Sequence, residues 1–351
     1  MKEYSKLAQV MKASFKLHEQ RLKGISLFMA GVIKAKSVHL SQIAQRMNKR
    51  VVPESNLRRL HRLLDEVSLE PSEVLRFIQN EVSKEPSKPK LKLSLDRSEW
   101  SSAGQKNNIL TLAVAYKNIA LPLVVQDLDK AGCSNSAERR YILECLLESV
   151  AADRIEVLTA DREFASAAFL GHLIQCKVNF ALRITSDTLI TLDGYTQAAR
   201  LWFHSTKRSS LKQAQVYGVT VNICGKRLNN GDFLIIITNL EAEEGYHLYR
   251  ERWRIESLFG ILKSRGFNLE QSRLSCSEKL ERLVMLLGLA ILWALRIGEL
   301  VIAKHPTRLM ANGFPLFSLF RRGLDALRAL LIDADSRFIS WNQAIKVLSR
   351  V

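Results

Sequence analysis

The sequence predicts a mixed α/β protein: an all-helical N-terminal part, a mixed-sheet core interrupted by a β-rich insertion, and C-terminal helices. Three observations predict it. Apolar residues recur at helical spacing through residues 5–83, the period falls to two after residue 90, and helical spacing returns from Glu278 onward.

In the first segment the helical stretches run through Ile25 to Ile33, Leu40 to Met47, Leu57 to Leu64 and Val74 to Val82. His39-Leu40-Ser41 ahead of QIAQRM, then NKRVVPES ahead of NLRRLHRLL, reads as two short helices joined by a turn. The second bears Arg58, Arg59, His61 and Arg62, which suits a DNA groove; the other reading is a small bundle with a solvated basic face. KEPSKPK at 84–90 sets two prolines among lysines and reads as a linker. LKLSLD (91–96) then places Leu91, Leu93 and Leu95 on one strand face and Asp96 on the other. ILTLAVAY (109–116) and LPLVVQDL (121–128) follow, as an antiparallel meander. A helix over 136–151, the strand IEVLTA (155–160) ending at Asp161, a helix over 164–175 and the strand VNFALRI complete a β-β-β-α-β-α-β order. That order belongs to an RNase H-like core, a mixed sheet covered by helices. Between Ser186 and Leu240 short strands alternate with turns, LNNGD being the strongest turn signal. The expected divisions are therefore 1–83 (helical, DNA-binding), 84–90 (linker), 91–185 (core), 186–240 (β-rich insertion), 241–303 (core, second part) and 304–351 (C-terminal helices).

Charge narrows the partners. Lys and Arg number 52 against 35 Asp and Glu, a net +17, which favours a polyanion, nucleic acid ahead of a membrane surface. Residues 1–90 hold 18 basic and 9 acidic side chains, so about half the excess sits there. The N-terminus lacks the apolar run of a signal peptide, and the longest such run, Leu283 to Leu295, is closed by Arg296 short of a bilayer span of ~20 residues. Five cysteines without CxxC or Cys/His pairing indicate neither a zinc site nor a disulfide framework. A cytoplasmic protein with reduced thiols is expected, with no membrane partner.

The chemistry concentrates in acidic residues. Asp96 and Asp161 fall on neighbouring strands of such a sheet, and Glu256 arrives from a helix after the insertion. Three converging carboxylates are hard oxygen ligands suited to two Mg²⁺ ions, which an in-line displacement at phosphorus uses. Around Glu256 the segment YRERWRIESLFGILK spaces Tyr249, Arg252, Glu256 and Lys263 by three, four and seven residues. On a continuous helix these four lie within a sector of roughly 60° beside an apolar stripe of Leu248, Ile255, Leu258, Phe259 and Leu262. Arg252 and Glu256 alone would read as an ordinary i,i+4 pair.

Together, Asp96-Arg97-Ser98, Asp161-Arg162-Glu163-Phe164 and Tyr249-x2-Arg252-x3-Glu256-x6-Lys263 resemble the DDE transposases of bacterial insertion sequences, specifically the insertion-sequence-four family with its YREK motif. The resemblance runs from about Lys90 to Ile297; Ser98 stands where the family commonly has Thr, and the hydroxyl is kept. It implies that Asp96, Asp161 and Glu256 are the metal-binding catalytic triad for Mg²⁺, with Mn²⁺ as substitute, and that Tyr249, Arg252 and Lys263 contact phosphates of the transposon end. It further implies binding of terminal inverted repeats and target DNA, a homodimer pairing two ends with 304–351 as an interface, a nucleoid-associated location in a bacterium, and a flipped base stacked on an aromatic, for which Trp202 and Trp253 are the candidates.

The function expected is cut-and-paste transposition. Its rivals are a catalytically silent transposase-derived DNA-binding protein, which would not need three carboxylates, and an RNase H-like nuclease or resolvase, which would lack the 95-residue gap (256 − 161) between Asp161 and Glu256.

Overall fold

The computed structural model describes residues 2–47, 50–79, 90–102, 105–333 and 339–348. The linker expected at 84–90 lies, except for Lys90, outside the described residues, as does the end of the helix expected to reach Val82. Five helices come first: α1 (Lys2–Lys12), α2 (Glu19–Ala35), α3 (Leu40–Arg46), α4 (Pro53–Glu66) and α5 (Pro71–Gln79). The expected meander is β1 (Leu91–Ser102), β2 (Gln105–Tyr116) and β3 (Ile119–Asp127). There follow α6 (Ser136–Leu147), β4 (Ile155–Ala160), α7 (Ala167–Gln175) and β5 (Phe180–Arg183). The next stretch holds β6 (Leu189–Leu192), β7 (Tyr195–Ala198), α8 (Ala199–Trp202), β8 (Ser209–Val216), β9 (Val219–Arg227) and β10 (Phe233–Thr238). Last come α9 (Ala242–Leu248), α10 (Trp253–Gly260), α11 (Ser277–Lys304), α12 (Leu319–Asp333) and α13 (Trp341–Lys346). The described chain forms two compact units, one of Pro89–Glu99 and Asn107–Phe259, the other of Met1–Lys88, Trp100–Lys106 and Gly260–Val351.

The first of these units is built on a ten-stranded sheet in the order β3-β2-β1-β4-β5-β10-β9-β8-β6-β7. β1 runs parallel to β4 and β4 parallel to β5, while β2 and β3 are antiparallel, so strands 3-2-1-4-5 have the expected RNase H-like arrangement. β1 is longer than its LKLSLD core suggested, and both its faces are covered: Leu91, Leu93 and Leu95 are buried on one side and Ser94 on the other. Residues 186–240 are β-rich as expected but do not stand apart from the core. β10 pairs antiparallel with β5 and with β9, so the insertion continues the same sheet. The turn chemistry of LNNGD holds, with Gly231 at φ +87° closing the β9–β10 connection.

In the other unit the first helices pack with the last. Arg296 is 1% exposed and donates to the carbonyls of Phe77 and Ile78, each at 3.0 Å, and to that of Val347 at 3.4 Å. It does not close the apolar run. α11 runs through it, 28 residues in all from Ser277 to Lys304, long and apolar enough by composition to cross a membrane, and its most apolar window is 83% buried inside the protein. α12 crosses α11 where Gly298 and Gly323 leave room: a Cβ on Gly323 would stand 1.7 Å from the Ala294 carbonyl oxygen. α12, within the expected C-terminal helices, begins at Leu319; Leu316 and Phe317 precede it and are exposed.

Candidate active site

The parallel register of β1 on β4 brings the two aspartates together. Leu95 is opposite Ala160, so Asp96 and Asp161 are the next residues along each strand. Asp96 continues β1, while Asp161 has left β4 and precedes the 3-10 turn Arg162–Phe164. Beneath them a buried hydroxyl pair ties the strands, Ser94 Oγ to Thr159 Oγ1 at 3.1 Å, and Thr159 Oγ1 donates to the Leu93 carbonyl at 2.9 Å.

The third carboxylate comes from a segment anchored on the same sheet. Tyr246 and Tyr249 pack with Val157, Ala181, Cys224, Ile236 and Ala242 in one apolar cluster. α9 approaches closely because Gly245 has no side chain; a Cβ there would lie 2.6 Å from Thr238. Beyond α9 the expected continuous helix is broken. Tyr249–Arg252 is a 3-10 turn, Trp253–Gly260 is α-helical, and Ile261–Arg265 is a π turn, so one 100° wheel does not describe the motif. At the 3-10 turn the chain is drawn toward the aspartates, where Tyr249 Oη donates to Asp161 Oδ1 at 3.3 Å and the Glu251 carbonyl lies 3.4 Å from Ser94 Oγ.

Arg252 links the set. Its Nη2 donates to Glu256 Oε1 at 2.7 Å and its Nη1 to Asp96 Oδ2 at 3.4 Å, while the guanidinium carbon lies 5.7 Å from the Tyr249 ring centre and 5.1 Å from that of Trp253. It is 6% exposed, so the reading as a surface i,i+4 pair describes one of its contacts only. Burial pushes the Asp96 carboxyl up to about 6; the Arg97 N–H and the Arg252 guanidinium pull against it, and the charges of Asp161 and Glu163 add to it. Burial also raises the Tyr249 phenol, which stays a donor.

The other expected residues are distributed as follows. Lys263 lies on the π turn in the second unit, its Nζ 5.6 Å from the Trp100 ring centre and 3.8 Å from Glu270 Oε1. Arg58, Arg59 and Arg62 are exposed on α4, and Arg59 and Arg62 line a cleft of about 750 Å³ with His18, Arg21 and Lys23. Trp202 is half-buried with its indole N–H enclosed and unpaired; Trp253 is 61% exposed.

The family model for the transposase DDE domain matches residues 90–293, which contain all three carboxylates. The chain belongs to the transposase DDE domain family. No curated protein sequence matches this transposase. Solved structures similar to it include a piggyBac transposase synaptic complex with hairpin DNA, at 10% identity over 99% of this chain and 83% of that one with a TM-score of 0.41. A second is an endonuclease V from Bacillus subtilis, at 8% identity over 61% of this chain and 92% of that one with a TM-score of 0.27.

In this DDE transposase the donor set suits a hard divalent cation, because carboxylates accept only and an under-compensated Asp96 gains from an added positive charge. Among the described residues no three acidic, His or Cys side chains form a ready cation cage, and Arg252 is bonded to both Asp96 and Glu256. Sequence reasoning missed three neighbours. Arg183 on β5 reaches within 4.0 Å of Asp161 Oδ1 while held by Asp232 and the Phe233 carbonyl; nothing in its local sequence signals this. Arg97 and Glu163 were inside the recognised motifs, yet only the register shows that they meet.

Proposed function

We propose that this transposase belongs to the insertion-sequence-four family, binds the terminal inverted repeats of its element, and cuts and joins DNA by cut-and-paste. The observation that carries the proposal is that one buried guanidinium, Arg252, bonds both Asp96 and Glu256, while the β1–β4 register sets Asp161 beside Asp96. Asp96, Asp161 and Glu256 would hold the divalent cations, Mg²⁺ or Mn²⁺. When bound, these ions supply the Lewis acidity that activates an attacking oxygen and eases departure of the leaving one.

The protein's own groups do the positioning. Tyr249 fixes Asp161 by donating to Oδ1, and a phenol kept protonated by burial holds that role across the working pH range. Arg252 has a planar fork able to take a phosphate in two-pronged fashion, and Lys263 offers a point charge. Arg58, Arg59 and Arg62 provide an exposed basic helix for the repeat, a set whose affinity falls with salt. Trp253, exposed and beside Arg252, is better placed than half-buried Trp202 to receive an unstacked base. A homodimer would bring two ends together, with 304–351 at the interface.

The test is cleavage of DNA carrying the element's own ends. Cutting should require Mg²⁺ or Mn²⁺, and Asp96→Ala, Asp161→Ala or Glu256→Ala should abolish it while sparing DNA binding. Undiminished cutting in EDTA, or full activity in Asp161→Ala, would refute the assignment.

A further inference from the structure

Arg97 follows Asp96 on β1, and Glu163 stands two residues beyond Asp161. Their side chains meet in a double contact, Arg97 Nε to Glu163 Oε1 at 3.3 Å and Nη2 to Oε2 at 3.4 Å. Through Nη1 the same guanidinium donates to Glu99 Oε2 at 2.9 Å and to Asn108 Oδ1 at 3.1 Å. Asn108 is wholly buried on β2, and its amide donates to the carbonyls of Lys130 and Gly132, each at 2.8 Å. Both amide protons are thus engaged, which fixes Oδ1 toward Arg97. One guanidinium thereby joins the strand that carries Asp96, the turn that follows Asp161, the neighbouring strand and the loop beyond β3.

The two aspartates differ in how they are held. Asp96 sits within a hydrogen-bonded ladder; Asp161 lies past the end of β4, where no strand partner sets its position. Its turn is closed by the Phe164 N–H on the Asp161 carbonyl at 3.0 Å and seated by the buried Phe164 ring, with the Arg139 guanidinium 5.3 Å from its centre. Neither contact refers the turn to β1. The Arg97–Glu163 pair does. Exposed ion pairs contribute little because solvent screens them and both side chains lose freedom. Here the Arg97 side chain is 16% exposed and the Glu163 side chain 24%, and the fork is already held at its other prong by a buried amide.

We propose that Arg97 and Glu163 are positioning residues that set the separation of Asp96 and Asp161, and so the fit of the carboxylates to the divalent cations. This rests on the reading of those carboxylates as the metal-binding triad.

The experiment uses the full chain and the variants Arg97→Ala, Arg97→Lys, Glu163→Ala and Glu163→Gln. Three quantities are read: thermal unfolding, Mn²⁺ affinity without DNA by electron paramagnetic resonance of the free ion, and single-turnover cleavage with DNA affinity measured alongside. The alanine variants should bind Mn²⁺ about tenfold more weakly and cleave about 10²-fold more slowly, as a displacement of ~1 Å costs, with DNA affinity unchanged. Arg97→Lys should lose nearly as much as Arg97→Ala, since it keeps the charge and loses the fork. Glu163→Gln, which keeps shape and one acceptor, should be milder. A lowered melting temperature with wild-type Mn²⁺ affinity and cleavage per folded molecule would overturn the proposal, as would a loss of DNA affinity confined to Arg97→Ala. Wild-type protein that binds Mn²⁺ and cleaves, matched by all four variants, overturns the positioning pair alone. Wild-type protein that does neither overturns the triad and the pair together.

Discussion

Arg252 shows how far a residue's type and spacing can be read and where reading stops. Its distance from Glu256 in the chain was legible, and on a solvated helix its loss would hardly change stability. Asp96, 156 residues away, makes the difference. The side chain is buried among two carboxylates and two aromatic rings, so Arg252→Ala leaves Asp96 buried without that counter-charge. We expect a loss of about 3 kcal/mol, the usual consequence of removing one partner of a buried pair, measured by urea unfolding of DNA-free protein. A stability unchanged from wild type would return Arg252 to the helix surface. Cys224 gives a second test at this scale. Burial first, and then the charge of Glu243 beside its Sγ, pushes the thiol up to about 12 from an ordinary 9.0. At about pH 8 an alkylating reagent should label exposed Cys133 and Cys276 and spare Cys224 until the protein unfolds, because the thiolate is the nucleophile. The sign of the linkage follows: the unfolded chain releases this proton near 9 and the folded one holds it to about 12, so stability present below 9 declines as pH rises between those values. Cys224→Ala should lack that part of the decline when urea midpoints at about pH 8 and 10 are compared.

Elements were legible where one period governed them. β4 was bounded correctly because IEVLTA is a short apolar run between polar ends, and β1 was found from three alternating leucines. The segment from Tyr249 to Lys263 was legible as helical and not as three kinds of helix. The overwinding at Tyr249–Arg252 goes with the contact of Tyr249 to Asp161, and a pattern of apolar spacing contains no record of that. The crossing of α11 and α12 was hidden for a related reason. Gly298 and Gly323 look like weak points in two helices, yet each marks a place where backbone meets backbone. Gly323→Ala should cost about 3 kcal/mol, since the added methyl overlaps the Ala294 carbonyl and neither backbone can yield. Gly171→Ala is the control: on α7 its Cβ would meet nothing within 4 Å, and the helix should gain roughly 0.5–1 kcal/mol. Equal effects of the two substitutions in thermal unfolding would show that the crossing is not close.

At the scale of the whole molecule the order of helical and strand segments was legible and their grouping was not. Arg296 reaching the carbonyls of Phe77 and Ile78 joins segments more than 200 positions apart, a pairing that local periodicity does not encode. The stretch 186–240 was read as a β-rich insertion, and its place in the sheet has a consequence for which strand edges are left open. A sheet ending at β5 would present Phe180-Ala181-Leu182 as an open row of backbone donors and acceptors, flat, apolar and free to recruit another chain. β10 covers that row, and the sheet instead runs out to β7, four residues long with Thr196 and Gln197 on it. Short polar margins of this kind resist strand addition. A variant in which 186–240 is replaced by a brief loop should therefore self-associate, with light scattering rising with concentration even in the absence of DNA; a clear, monodisperse solution would mean that β5 can serve as a margin by itself. What looks like an ornament on the catalytic core is the selvage that keeps its weave from catching on its neighbours.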